Sequence, residues 1–183
     1  VGGTCLTKDP VLFSNPYSDK AYKPILSLMG RKINESVLET IKYKINKYSE
    51  TYKQSQNLNI LIVGIAFKGE PETSDTRDSM SLKLIDMIKK ANNIICLDEN
   101  IEESEYQRLD LKYITSKEIS DQSEFDCVIV MNNSNNNTKY GLQSLFSSEH
   151  DKKLIFDGWS QFDKEDIERN GHIYSTLGYM TKK

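Results

Sequence analysis

Leu58-Asn59-Ile60-Leu61-Ile62-Val63-Gly64-Ile65-Ala66-Phe67-Lys68-Gly69 is the run on which the fold turns. A β-branched apolar stretch closing on a glycine, then a polar loop, then a helical pattern over 79–90, reads as the opening strand, loop and helix of a parallel sheet. Short apolar runs at 94–97, 127–131 and 154–156 follow, separated by helix-like segments. A last weak strand at 172–175 comes after a short helix, 163–170, that stops at Gly171. The expected fold is a doubly wound α/β sheet of four or five strands with right-handed crossovers.

Upstream, residues 24–52 hold no proline after Pro24 and no glycine after Gly30. Ile25, Met29, Ile33, Val37, Ile41 and Ile45 recur every fourth residue, and Leu28 and Leu38 widen the stripe. The pattern predicts one long amphipathic helix, which needs a surface to cover it. Before it, residues 11–23 carry Ser14, Asn15, Pro16 and Ser18, a composition that favours turns. Tyr17 and Tyr22 either line a sugar pocket or cover the base of the helix.

Chemistry-bearing residues collect in two places. Gly2-Gly3-Thr4-Cys5-Leu6-Thr7-Lys8-Asp9-Pro10 puts a thiol, an ammonium and a carboxylate beside two glycines that let the backbone bend and approach a ligand. Lys8 is near enough in sequence to favour a thiolate at Cys5, so the stretch reads as a nucleophile loop; the bland alternative is an inert thiol. The second place is the loop Phe67-Lys68-Gly69-Glu70-Pro71-Glu72-Thr73-Ser74-Asp75-Thr76-Arg77-Asp78-Ser79, at the carboxyl edge where open α/β sheets gather ligands. There Lys68 is placed to neutralise phosphate or bind sugar hydroxyls. Arg77 contacts phosphate or locks the loop by pairing with Asp75 or Asp78. Gly64-x-x-x-x-Gly69 is neither the Gly-x-Gly-x-x-Gly fingerprint nor a P-loop, so this sheet is not expected to hold a dinucleotide. The Asn and Ser run at 132–137 reads as a flexible loop, either a lid or a surface insertion.

Composition excludes several classes. The 183 residues suffice for one well-buried domain with extra structure, not for two full nucleotide-binding domains. Twenty-four basic against 27 acidic residues, both signs interspersed, leave −3 and no basic stripe, so nucleic acid is not expected. No run approaches a membrane span. Three cysteines cannot all pair, and Cys96 and Cys127 lie in apolar runs, which favours a reduced, cytoplasmic setting. No metal-ligand pattern is present.

Gly-Gly-x-Cys-aliphatic-x-Lys-Asp at the start, Phe67-Lys68-Gly69 with Asp75-x-Arg77-x-Ser79, Phe125-Asp126-Cys127, Phe156-Asp157-Gly158 and Gly171-x-x-Tyr174-x-x-Leu177-Gly178 together resemble the UDP-glucose/GDP-mannose dehydrogenase family. The resemblance implies an NAD-dependent nucleotide-sugar 6-dehydrogenase that makes a uronic acid, with NAD in a front domain. The expected parts here are a catalytic-cysteine loop (1–23), a connecting and dimerisation helix (24–53, with Arg31 and Asn34 matching an Arg-x-x-Asn pattern) and a nucleotide-sugar-binding domain (58–183). It implies catalytic roles for Cys5, Lys8 and Asp9, substrate contacts from Gly2, Gly3, Phe67, Lys68 and Arg77, and a homodimer. Val1 in place of Met suggests a fragment without the front domain, inactive by itself. Pro10 and the Gly-x-Pro-Glu-Thr spacing look more like the UDP-N-acetylhexosamine branch. Trp159 and Tyr179 depart from the pattern, standing where arginine is usual. The rivals are a stand-alone α/β binding module, or a flavodoxin-like or receiver-like domain using Asp98 or Asp157.

Overall fold

The computed structural model describes residues 2–17, 25–55, 57–119, 124–146 and 152–181. Five strands, β1 (Asn59–Val63), β2 (Asn93–Leu97), β3 (Cys127–Val130), β4 (Leu154–Asp157) and β5 (Ile173–Ser175), form one sheet in the order β2-β1-β3-β4-β5. Every pairing is parallel, with Ile60 opposite both Ile94 and Cys127, and Leu154 opposite Cys127 and Ile173. This is the expected sheet, at the upper strand count.

Continuous apolar strands arise because both faces are covered. Ile60, Ile62, Ile129 and Phe156 point to one side, where α2 (Ile25–Tyr48), α3 (Met80–Ile88) and α4 (Glu103–Arg108) supply Leu38, Ile41, Ile45, Leu84 and Tyr106. Leu61, Val63, Val128, Val130 and Ile155 point to the other, against Leu142, Leu145, Phe146 and Ile167 of α5 (Lys164–Arg169). Local signals agree with these layers. Ser79 caps α3 by accepting from the Ser81 N–H at 3.1 Å, and Asp163 caps α5 by accepting from Glu165 at 2.8 Å. Gly171, at φ 84, turns the chain out of α5 as its sequence position predicts.

The long helix forms as expected from Ile25 onward; its predicted first residue, Pro24, lies outside the described residues. After Tyr48 the coil widens into a π-turn, Ser49–Lys53, which ends where Gln54 adopts φ 53. Lys53 pairs with Asp126 at 2.8 Å and so fastens this end to the start of β3. The stripe divides in two. Leu38, Ile41 and Ile45 are buried against the sheet, whereas Ile25, Met29 and Ile33 remain exposed. Between the buried turns, the Lys44 ammonium donates to Ser175 Oγ at 3.0 Å, to the Tyr179 carbonyl at 2.7 Å and to the Thr176 carbonyl. Three acceptors repay the desolvation that lowers its pKa, and they bind the helix to the end of β5.

Two expectations at the N-terminus need correction. The stretch read as a nucleophile loop becomes a helix directly after Gly3: α1 spans Thr4–Ser14 and passes into a 3-10 turn, Asn15–Tyr17, where turns had been expected. Pro10 removes one backbone hydrogen bond, but the Ser14 hydroxyl donates to the Pro10 carbonyl at 2.6 Å and steadies the turn. Packing along α2, where the Ser14 and Ser27 hydroxyls meet at 3.5 Å, overrides the local composition. The Tyr17 side chain and Tyr22 lie outside the described residues.

His172, buried before β5, accepts from the Lys153 N–H at Nδ1 (3.2 Å) while Nε2 lies 3.1 Å from the Phe146 carbonyl, which fixes the neutral ring with its proton on Nε2. Burial is the chief cause holding its pKa below the usual 6.5; the Phe146 carbonyl opposes the shift, and Lys153 and Lys152 add to it. The unfolded chain therefore takes the proton first. Stability contributed by the neutral ring is whole above pH 6.5 and is lost as pH falls through the lower folded value. Urea midpoints should drop across that interval, and His172→Gln, which keeps a donor and an acceptor, should flatten the drop; an unchanged slope would show that other groups cause it.

Candidate functional site

Strand order reverses between β1 and β3, since β2 lies on one side and β4 and β5 on the other. At such a switch point the loops leave in opposite directions and open a crevice at the carboxyl ends. A cavity of about 250 Å³ occupies it, lined by Val37 and Ile41 from α2, Phe67 after β1, Met80 at the start of α3, and Trp159 and Leu177 from the far side. Among the described residues no lysine, arginine, aspartate or glutamate lines it.

The loop after β1 is held by buried polar groups. Asp98, at the end of β2, accepts from the Ile65 N–H at 2.8 Å and the Ala66 N–H at 3.0 Å. Asn133 Oδ1 accepts from Gly69 at 2.9 Å and Glu70 at 3.1 Å. Asn132, Ser134 and Asn137 are buried, with Asn137 Nδ2 donating to the Asn132 carbonyl at 3.0 Å and to Gln161 Oε1 at 2.9 Å. The Asn run is therefore neither a lid nor a loose insertion; it is the strut of the loop opposite. Composition misled because asparagine, common in flexible loops, also satisfies backbone amides in fixed ones. Gly64, at φ 87, carried the missed signal: a Cβ there would lie 2.4 Å from the Asn132 side chain.

Asp98 and Asp157 are both buried with carboxylates turned onto backbone amides, Asp157 accepting from Trp159 at 3.2 Å and Phe162 at 2.8 Å. Carboxylates so engaged fit poorly with the receiver-like alternative, which needs an exposed aspartate, and with the ribose contact of a dinucleotide site.

The predicted site residues come together in part. Gly2 and Gly3 are buried against the loop: a Cβ on Gly2 would meet the Asp78 carbonyl at 2.4 Å, and one on Gly3 the Phe67 ring at 2.9 Å. Thr7 Oγ1 donates to Asp78 Oδ2 at 3.0 Å, seating the first turn of α1 on the segment that carries Arg77. Cys5 is exposed on that turn, within electrostatic reach of Arg77 and Lys8. Both cations have raised pKa values, owing first to Asp75 and Asp9 respectively and least to the Cys5 sulfur.

Lys8 Nζ also meets Asp9 Oδ1 at 2.6 Å, with both side chains exposed. Arg77 pairs with Asp75 and not with Asp78: Nε and NH2 grip Asp75 at 2.9 and 2.7 Å and hold that carboxyl down at about 2. The Lys68 ammonium lies 5.5 Å from the centroid of the Phe67 ring, and Lys68 does not line the cavity. Cys96 and Cys127 are buried, and burial pushes the Cys96 thiol up to about 12. Of the three thiols, Cys5 alone is reachable. No His, Cys, Asp or Glu cluster suited to a metal occurs among the described residues, and no helix there is long and apolar enough to cross a membrane.

Comparisons with known proteins agree with this geometry. The chain is 24% identical, over 86% of its length, to a UDP-N-acetyl-D-glucosamine 6-dehydrogenase of Salmonella typhi, and 24% identical, over 95%, to an uncharacterized protein of Methanocaldococcus jannaschii. It spans 36% and 20% of those two proteins. The solved UDP-D-ManNAc dehydrogenase of Pyrococcus horikoshii shares the fold over 97% of this chain and 38% of its own, with TM-score 0.74 at 23% identity. The family model described as the UDP-glucose/GDP-mannose dehydrogenase family, UDP binding domain, matches residues 61–164, from β1 through the turn after β4 that presents Trp159. With more than half its length so matched and the crevice at the β1/β3 reversal in place, the chain belongs to the UDP-glucose/GDP-mannose dehydrogenase family.

Proposed function

We propose that this chain is the nucleotide-sugar-holding part of an NAD-dependent UDP-sugar 6-dehydrogenase, cytoplasmic, which oxidises C6 of a UDP-N-acetylhexosamine or UDP-glucose to a uronic acid used in surface polysaccharide. The observation that carries the reading is the seating of the Cys5 turn on the Phe67–Asp78 loop above a crevice of the UDP-binding domain. Contact between that turn and that loop is what a reaction joining thiol and bound sugar requires.

In this mechanism the C6 alcohol loses a hydride and a proton to become an aldehyde. The Cys5 thiolate adds to the aldehyde carbon, and loss of a second hydride from the thiohemiacetal leaves a thioester. Water, giving its proton to Asp9, adds to the thioester carbonyl, and the Cys5 thiolate departs as the acid forms. Lys8, paired with Asp9, sets the charge around that water. NAD, the hydride acceptor of such an enzyme, does not fit this sheet: the β1–α3 turn lacks the glycine fingerprint and Asp98 is spent on Ile65 and Ala66. A separate domain would hold it, so these residues alone would be inactive. The exposed Ile25, Leu26, Met29 and Ile33 support a homodimer through α2.

The test follows NADH in the full-length protein with UDP-N-acetylglucosamine, UDP-N-acetylmannosamine, UDP-glucose and GDP-mannose. Two NADH per acid from one UDP-sugar is the expected result. Binding without turnover of any of them would leave a non-catalytic nucleotide-binding module in its place.

A further inference from the structure

Trp159 is the only tryptophan in the sequence, and it stands half-exposed on the rim of the cavity rather than in the core. Its position is rigid. Gly158 donates to the Val130 carbonyl at 3.1 Å, so closely that a Cβ there would sit 2.8 Å from that oxygen. The next N–H, that of Trp159 itself, is taken by Asp157 Oδ1, and Ser160 then reverses the chain at φ 55. Asp157 is in turn fixed by Phe162 N–H and by the Tyr174 hydroxyl at 3.2 Å, so the turn under the indole is bolted to β5. An exposed aromatic on so fixed a support loses little freedom when something stacks on it.

Charge decides which end of a ligand belongs there. The cavity is bounded by α2 side chains, Phe67, Met80 and Leu177, with Asn34, Ser79 and Ser81 as polar groups and no ionised side chain among the described residues. A diphosphate placed inside would be stripped of water with no cation to meet it, which is strongly unfavourable. No cation among the described residues lines the cavity: the Lys68 ammonium lies 5.5 Å from the centroid of the Phe67 ring, Arg77 pairs with Asp75, and Lys8 pairs with Asp9. A flat, neutral ring with hydrogen-bonding edges suits the interior.

Resting on the nucleotide-sugar reading, we infer that Trp159 is a stacking platform for the nucleobase, which enters the cavity while the diphosphate stays at its mouth. Trp159 thereby determines which nucleotides bind, through area of stacking and not through charge.

The full-length protein reports this through its own emission, with Trp159→Phe as the blank that assigns the signal. Uridine, UMP, UDP and UDP-N-acetylglucosamine should all quench Trp159 to the same plateau, whereas pyrophosphate and N-acetylglucosamine 1-phosphate should not. Calorimetry should find UDP bound about tenfold more weakly by Trp159→Ala, with Trp159→Phe nearer the parent. Because the residue is exposed, both variants should melt with the parent, so a changed affinity is not a folding defect. If UDP binds and both the emission and the Ala variant's affinity are unchanged, Trp159 is not the platform, and the nucleotide reading survives. If the base-free phosphates quench equally, the cavity takes the phosphate end and the inference is overturned. If no base-bearing ligand binds, it falls together with the nucleotide reading.

Discussion

Cys5→Ser is expected to reduce uronic acid formation by about three orders of magnitude while leaving the affinity for UDP unchanged. The asymmetry follows from where the thiol sits. Cys5 is exposed on the first turn of α1 and lies outside the lining of the cavity, so exchanging sulfur for oxygen disturbs neither the packing nor the nucleotide. On the proposed mechanism, what changes is the nucleophile. A thiol is partly ionised near neutral pH and strongly nucleophilic, whereas a serine hydroxyl needs a base within reach to attack an aldehyde. In the proposed mechanism Asp9, paired with Lys8 at 2.6 Å, takes the proton of the hydrolytic water, and no base is assigned to a hydroxyl at position 5. Melting of the variant should match the parent, and quenched reactions should lack the protein-bound acyl adduct that the proposed thioester step predicts for the parent. Acid formation persisting at the parent rate would remove Cys5 from the mechanism and leave the turn a docking element.

How much of this was legible beforehand depends on whether a signal was local. The strands, the helix starts near 79 and 163 and the stop at Gly171 were all readable, because each is set by a few neighbouring residues and by burial on both faces. The path of residues 4–14 was not. Pro10 and the polar residues after it argued for turns, whereas the contacts the helix makes, Thr7 with Asp78 and Ser14 with Ser27, are with residues distant in sequence. Nor could sequence show which partner Arg77 takes, since Asp75 and Asp78 are equally near along the chain and only the loop's shape aims the guanidinium at Asp75. The Asn run was misjudged for the same reason: its partners Gly69, Glu70 and Gln161 lie far away in sequence. The cavity's lack of charge was equally hidden, because its lining is gathered from α2, three strand ends and the tail after β5.

The largest stability effect is expected from Gly69→Ala. A Cβ at this position would lie 2.0 Å from the Ser134 nitrogen, 2.4 Å from its Cα and 2.6 Å from the Asn133 carbonyl carbon. All three are backbone atoms, so no rotamer change relieves the clash and the two loops must part. Parting them lengthens the bonds from Gly69 and Glu70 to Asn133 Oδ1, and the Asn132–Asn137 contacts behind them loosen with it. The cost should be about 3 kcal/mol, at the upper end for overpacking a fitted site. For a chain of this size that lowers the melting temperature by roughly 6–12 °C. Gly178→Ala is the matched control, because nothing lies within 4 Å of its Cβ, and it should melt with the parent. Binding discriminates further. Phe67 and Lys68 ride on the displaced loop, so UDP affinity should fall in Gly69→Ala even at temperatures where the variant is fully folded. If the two glycine variants melt alike, the contact between the β1 and β3 loops does not carry the fold at this edge, and the cavity must owe its shape to α2 and Asp98 instead.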